Sequence, residues 1–343
     1  MHLNISQKDF AKVQELLKIK EYNIASAEAL FSFSYADLAY DQIDNFLDLD
    51  LSNFEEEFFF EKYFSNVFIS LDKEKYINNP YAKKLKGVSA KKGKYQLKEL
   101  TIKKYRPLPY DDIQIEDLYL EKSSQGYFLD DFTYPALLEN DTVWMSLDPD
   151  EINTMAPIIE QMHGKILIFG LGMGYFPYMA SLNNKVEKIV IVENNMDIIN
   201  FFKEFIASKL DNKIPFEIVY DDAFHYLENH PQNDFDCMFM DIWHNPEDGF
   251  PLYWMFLHST KQFKGKCYYW LEKSLLAMGR RCLLTLVEES IQGYQDKDYQ
   301  KAKNTYDKII NKLYFLTKDM NFTSYESLYD FLSDASIKKL LTE

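Results

Sequence analysis

Apolar positions fall into three regimes along the chain. Over the first eighty residues they recur at helical spacing. SQKDFAKVQELLK places Phe10, Val13, Leu16 and Leu17 on one face behind Ser6 as N-cap; further patterns run from Ala25 to about Leu49 and from Phe54 to Phe68. Their many Phe and Tyr residues read as the core faces of amphipathic helices rather than as an aromatic binding surface. From about Lys83 the pattern turns to alternation, so YQLKELTI, GYFLD and TVWMSL are expected strands, with a break at Pro107 and Pro109.

From Gly164 short apolar runs alternate with helical patterns. KILIF, KIVIV, FEIVY, FDCMFMD and KCYYWLE are five expected strands, and NMDIINFFKEFIASKL, DAFHYLENH and PLYWMFLHSTKQF are helices between them. That alternation predicts a mainly parallel sheet with helices on both faces, an α/β fold. Beyond Glu272 only helical patterns are visible. The expected organisation is a helical region over 1–80, a small β-rich region over 81–150, the α/β unit over 151–295 and C-terminal helices over 296–343.

Composition narrows the class. The chain has 343 residues, 47% hydrophobic and 27% charged, enough apolar side chains for a buried core. Its net charge of −16 argues against a general nucleic-acid coat, and Arg106, Arg280 and Arg281 are its only arginines. The opposite sign is concentrated locally: residues 83–106 carry nine Lys and Arg106 against one acid, Glu99. Lysines on the outer faces of a hairpin are the plain reading. A local nucleic-acid contact over Lys83 to Arg106, or pairing with the acidic stretch 41–62 within the chain or across a homodimer, are the alternatives. Cys237, Cys267 and Cys282 form no C-x-x-C pair, and no His, Cys and acid spacing makes a metal site. With no apolar run near the ~18 residues of a membrane span, the expectation is a soluble, cytoplasmic protein without a membrane partner.

The chemistry concentrates at the carboxyl ends of the expected strands. Gly170, Gly172 and Gly174 follow KILIF and open a helix, where backbone lacking Cβ lets a ligand approach closely. The bland alternative is a tight turn with no ligand. Glu193 ends the second strand, placed to accept from both hydroxyls of a ribose, or simply to cap the next helix. Asp221, Asp222, Ala223 and Phe224 follow the third, where an acid can accept from an adenine amino group or cap a helix. Neither reading of the glycines satisfies G-x-G-x-x-G, since Tyr175 or Pro177 stands at the third position, and a Walker lysine is absent; this points away from NAD and ATP.

The run from Lys165 to about Glu272 resembles the class I S-adenosylmethionine-dependent methyltransferases, and more closely the branch that includes spermidine synthases. ILIFGLGMGY is similar to their glycine loop, VIVENNMDII to their ribose-binding strand end, DDAFHYL to their adenine-side segment and FDCMFMDIWH to their fourth strand with its functional acid. The resemblance implies a Rossmann-like methyltransferase fold with S-adenosylmethionine as cofactor. Gly170, Gly172 and Gly174 would lie against its methionine and ribose portions, Glu193 would hold the ribose, and Asp222 with Ala223 the adenine. Ile168 stands where most methyltransferases have an acid, as in polyamine synthases.

The departures are chemical. Met173 replaces the acid in the glycine loop of aminopropyl transferases, and Asp241-Ile-Trp-His244 replaces their D-x-x-D, so an imidazole stands where a second acid would bind a cationic amine. There is no N-P-P-Y run. Asp241 and His244 are the expected catalytic pair, with imidazole suited to a base near neutrality. Trp243 is the expected wall against a substrate. The expectation is therefore a methyltransferase acting on a small-molecule acceptor. An aminopropyl transferase of the polyamine-synthase kind, or a non-catalytic nucleoside-binding or assembly protein, are the alternatives. A full methyltransferase sheet has two further strands; truncation after the fifth, with the N-terminal β segment or a second subunit finishing the sheet, is preferred over two cryptic strands.

Overall fold

The computed structural model describes residues 1–343. A two-residue strand, β1 (His2–Leu3), leads into α1, which runs from Gln7 to Tyr35 and is far longer than its first amphipathic pattern. Ser6 caps it, its Oγ accepting from Asp9 N at 3.1 Å. The pattern from Ala25 to Leu49 is thus not one helix. It ends α1, breaks at Asp37 in the left-handed region (φ 54°), and resumes in the short α2 (Ile43–Leu47). In α3 (Phe54–Tyr63), Phe59 packs against Tyr22 of α1 with ring centroids 5.2 Å apart.

Two short helices, α4 (Lys73–Ile77) and α5 (Pro80–Leu85), lie among the strands of two small sheets. One orders β2 (Phe68–Ser70), β6 (Glu121–Tyr127) and β5 (Leu108–Ile115); the other orders β3 (Ala90–Lys92), β4 (Tyr95–Ile102), β7 (Phe132–Glu139) and β8 (Thr142–Ser146). Two expectations are corrected. GYFLD is no strand of its own, because Phe128 to Asp130 form the turn between β6 and β7. Pro109 does not end a strand but lies inside β5, where the pairing with β6 shifts register between Pro109 and Asp111, as a residue without an N–H donor requires.

The following α6 (Pro149–Gln161) opens the α/β unit, in which β9 (Gly164–Phe169), β10 (Val186–Glu193), β11 (Phe216–Tyr220), β12 (Cys237–Met240) and β13 (Lys266–Tyr269) make one sheet. Every pairing is parallel and the order is β11-β10-β9-β12-β13. Between them run α7 (Tyr175–Ser181), α8 (Met196–Phe201), α9 (Ala223–Asn229) and α10 (Pro246–Ser259). The run KILIF reads as continuous apolar sequence because both faces of β9 are covered: Ile166 and Ile168 enter one hydrophobic cluster, Leu167 and Phe169 the other. Each fully buried side chain of this kind contributes about 1.5–3 kcal/mol.

The sheet stops at β13. The small N-terminal sheets remain separate and do not finish it. After α11 (Glu272–Ile291) the chain is helical through α12 (Thr305–Thr317), α13 (Tyr325–Phe331) and α14 (Asp334–Thr342), with one exception the sequence pattern did not reveal. A two-residue strand, β14 (Asn321–Phe322), pairs in parallel with β1. No helix is long and apolar enough to cross a membrane.

The basic segment is partly neutralised inside the chain. Lys84 pairs with Asp211, Lys92 with Glu204, Lys94 with Glu139, Lys103 with Asp131 and Arg106 with Asp37. None of these partners belongs to the acidic stretch 41–62, so the intrachain form of that pairing is not what the fold adopts.

Candidate functional site

The strand order reverses between β9 and β12, so the loops leaving their carboxyl ends diverge and open a crevice. A cavity of 560 Å³ occupies it. Among the expected site residues, Gly170, Gly172, Glu193, Asp222, Ala223, Asp241, Trp243 and His244 all line it. Gly174 does not.

Each glycine answers a different neighbour. Gly170 (φ +98°) turns the chain under the loop after β12, where a Cβ would stand 2.0 Å from the carbonyl oxygen of Asp241. Gly172 (φ +55°) faces the thioether of Met145, with Sδ 3.1 Å from a built Cβ. At Gly174 (φ +83°) a Cβ would meet the Phe202 ring at 2.3 Å, so this glycine admits a packing aromatic from the helical turn after α8.

Glu193 is buried beneath the loop and holds it. Its Oε2 accepts from Leu171 N at 3.0 Å and its Oε1 from Asn195 N at 2.8 Å. Burial raises its pKa, and these backbone donors oppose that rise. Each carboxylate oxygen keeps acceptor capacity for a ligand hydroxyl. Asp222 caps α9 through Oδ1, which accepts from Phe224 N at 2.9 Å and His225 N at 3.1 Å. Its second oxygen makes no bond within the chain, so capping and ligand binding are compatible there. Ala223 is buried beside it.

The Asp241 backbone N–H donates to Phe169 O at 3.0 Å, holding the residue at the sheet edge. Its carboxyl makes no hydrogen bond or ion pair within the chain. Burial, then the charge of Glu193, pushes it up to about 7. His244 is not placed as an unengaged base. Trp144 of β8 donates its indole N–H to His244 Nε2 at 2.9 Å, and Nδ1 lies 3.0 Å from Asp248 Oδ2. The imidazole bridges the small sheet to the loop after β12. Trp243 is buried against Gly249 and Phe256, and its Nε1 is buried without a partner.

Three further cavity residues come from α6, and sequence reasoning missed them. Asp148 is its N-cap, accepting from Glu151 N at 3.2 Å and, through Oδ2, from Ser146 Oγ at 2.8 Å. Asp150 and Glu151 occupy the first turn. Asp150 Oδ1 is buried with no partner, and the Glu151 carboxyl also makes no bond within the chain. Burial and the neighbouring Asp148 push Asp150 up to about 8, while burial and Asp241 raise Glu151 well above the usual carboxylate range. The available signal was Asp-Pro-Asp-Glu after a strand, which reads simply as a helix start. Together with Glu193, Asp221, Asp222 and Asp241 the cavity is lined by seven carboxyl groups and by no Lys or Arg. Trp144, Tyr175, Trp243 and Trp270 supply aromatic wall. Such a cavity favours a cationic ligand over an anionic one.

No protein-family model and no curated protein matches the chain. Among solved structures it is similar to MNMC2 from Aquifex aeolicus, at 19% identity and a TM-score of 0.28. The match covers 43% of this chain and 60% of that one, so less than two thirds of that structure is spanned. A likeness of that size bears on neither ligand nor reaction.

Proposed function

We propose that the chain is an S-adenosylmethionine-dependent methyltransferase whose acceptor is a small molecule carrying an ammonium group. The observation that carries this reading is the meeting of the glycine loop, Glu193 and Asp241 in one crevice lined by seven carboxyls and no Lys or Arg. When bound, S-adenosylmethionine supplies an electrophilic methyl group on a sulfonium, itself a cation.

The residues fit such a cofactor. Gly170 and Gly172 leave the main chain open to close approach, Glu193 offers acceptors to ribose hydroxyls, and the unengaged oxygen of Asp222 beside Ala223 suits an adenine amino group. The parallel sheet would then be the first five strands of a Rossmann-like methyltransferase fold. Acids at the α6 end hold and orient the acceptor's ammonium, and the aromatic wall excludes water from it. With half its cations paired internally, segment 83–106 is read as part of the fold's own ion-pair pattern rather than as a nucleic-acid contact.

A specific observation favours a second reading, aminopropyl transfer from the decarboxylated cofactor. The methionine carboxylate of S-adenosylmethionine would find no Lys or Arg in the cavity. Calorimetry with S-adenosylmethionine, its decarboxylated form and S-adenosylhomocysteine decides between them. Methyl transfer expects binding of the first and third at micromolar levels. Preference for the decarboxylated compound shifts the reaction to aminopropyl transfer, and no binding of any at millimolar ligand removes the cofactor.

A further inference from the structure

The sheet β3-β4-β7-β8 touches the crevice through three side chains. Met145 of β8 faces Gly172, where a Cβ would stand 3.1 Å from its sulfur. Tyr95 of β4 accepts at its hydroxyl from Asn195 Nδ2 at 2.9 Å, just past the end of β10. Trp144 of β8 donates to His244 Nε2 at 2.9 Å, and its ring lies beside that of Tyr95 with centroids 5.5 Å apart. Trp144, Met145 and His244 all line the cavity. The small sheet thus lies over the glycine loop as a cover, fastened on one side beside Glu193 and on the other to the loop that carries Asp241.

The second fastening contains an imidazole, and its hydrogen bonds fix the tautomer. Nε2 accepts from Trp144, so the ring proton sits on Nδ1 and is donated to Asp248 Oδ2 at 3.0 Å. Asp248 is itself held, accepting from Asn245 N at 2.8 Å and from His244 N at 3.2 Å. A second proton on the ring can go only to Nε2. There it meets the indole N–H, a donor with no lone pair to offer, so the bond to Trp144 is lost. The bond to Asp248 becomes charge-assisted and strengthens. The His244 side chain is 62% exposed, so water reaches the ring.

The charges around the ring favour that exchange of partners. Asp248 faces it from α10, and Glu139 of β7 lies near enough for the two charges to interact, although Lys94 also pairs with Glu139. Asp241, earlier in the same loop, is buried within the cavity. We infer that Trp144 and His244 form a proton-operated clasp: the neutral imidazole holds the small sheet down over the crevice, and the imidazolium releases that edge and opens the mouth. The clasp goes beyond the methyl-transfer reading and does not depend on what the crevice binds; it governs the exchange of whatever ligand sits there. Both residues are positioning residues.

NMR of the indole N–H groups in the full, ligand-free chain tests the clasp. The chain has four tryptophans, and Trp144→Phe identifies the Trp144 signal. Histidine changes charge between about pH 5 and 8, so spectra are compared at pH 5.5 and 8. At the lower pH the Trp144 signal is expected to move upfield, with its exchange with water about tenfold faster, as for the loss of one hydrogen bond. His244→Gln supplies an uncharged acceptor at every pH and should abolish both changes. Hydrogen exchange of the loop over residues 170–174 reads the cover itself: wild type and His244→Gln should match at pH 8, and wild type should exchange faster at pH 5.5. A Trp144 signal indifferent to pH, the same change in His244→Gln, or loop exchange equal in the two proteins at pH 5.5 overturns the inference. With S-adenosylhomocysteine as probe, wild type should release it about tenfold faster at pH 5.5 than at pH 8, and His244→Gln at like rates; equal release by the wild type at both pH values also overturns it. A chain that shows the clasp when empty but never binds the probe overturns the cofactor reading and leaves the clasp standing.

Discussion

Trp144 donates its indole N–H to Nε2 of His244 at 2.9 Å, joining β8 of a small sheet to the loop that follows β12. One hydrogen bond thereby ties the wall of the cavity to the edge of the parallel sheet. It also occupies the lone pair that a general base would need.

His244→Ala is therefore expected to lower kcat less than tenfold and to act mainly through KM, as a wall held less firmly. Trp144→Phe should reproduce that effect, whereas Asp241→Asn should cost about 100-fold or more in kcat. Steady-state kinetics on the three variants checks this. A loss beyond 100-fold in His244→Ala alone would return the imidazole to the base's role.

The glycines should not respond alike to substitution. Gly170→Ala sets a Cβ against the immovable carbonyl of Asp241 at a left-handed φ, with an expected loss of about 3 kcal/mol or more. Gly172→Ala meets only the Met145 thioether, a flexible side chain, and should cost about 1 kcal/mol. Urea unfolding measures both; equal losses would show that the loop is strained as a unit.

Glu193 holds the glycine loop in place apart from any ligand. Replacing it by Gln turns a donor of the amide towards Leu171 N or Asn195 N, where both oxygens now accept. Glu193→Gln is expected to lose about 1–3 kcal/mol of stability and at least tenfold in S-adenosylhomocysteine affinity. Thermal unfolding and calorimetry read the two effects separately. Unchanged affinity would dissociate this carboxylate from ribose binding.

The central strands were legible in the sequence because burial on both faces makes each a short apolar run, as Ile166 to Phe169 and Cys237 to Met240 illustrate, while the partly exposed edge strands β11 and β13 were legible from their place in the alternation with helices. Their carboxyl ends were legible for the same reason, and so Gly170, Glu193, Asp222 and Asp241 could be placed near one another. The α6 acids were not legible. Asp148 does cap a helix, and nothing in the spacing of Asp150 and Glu151 separates a first-turn acid facing solvent from one facing a cavity. The β1–β14 pairing was hidden too, since two-residue strands carry no periodicity. The engagement of His244 depended on a tryptophan one hundred positions away.

The raised acids give stability a defined pH dependence. Asp150 is pushed up to about 8 and Asp241 to about 7, so between pH 4 and these values the folded state holds protons that the unfolded state has released. Stability must then fall as pH rises through that window and level off above it. Asp150→Asn is expected to shallow the decline and to raise stability at pH 8 by about 2 kcal/mol. Chemical unfolding at pH 5, 6.5 and 8 checks this, and a wild-type stability that rises over that range would contradict it.

The central sheet separates two hydrophobic clusters, and the crevice draws its lining from both. Met155 and Phe239 belong to one cluster, Ala223 and Trp243 to the other. A molecule seated there would touch both sides of the partition at once, adding to the links the chain already makes across it, such as Ser274 Oγ to Asp112 and Trp270 Nε1 to Thr154. A ligand that filled the crevice would therefore couple the melting of one cluster more tightly to that of the other.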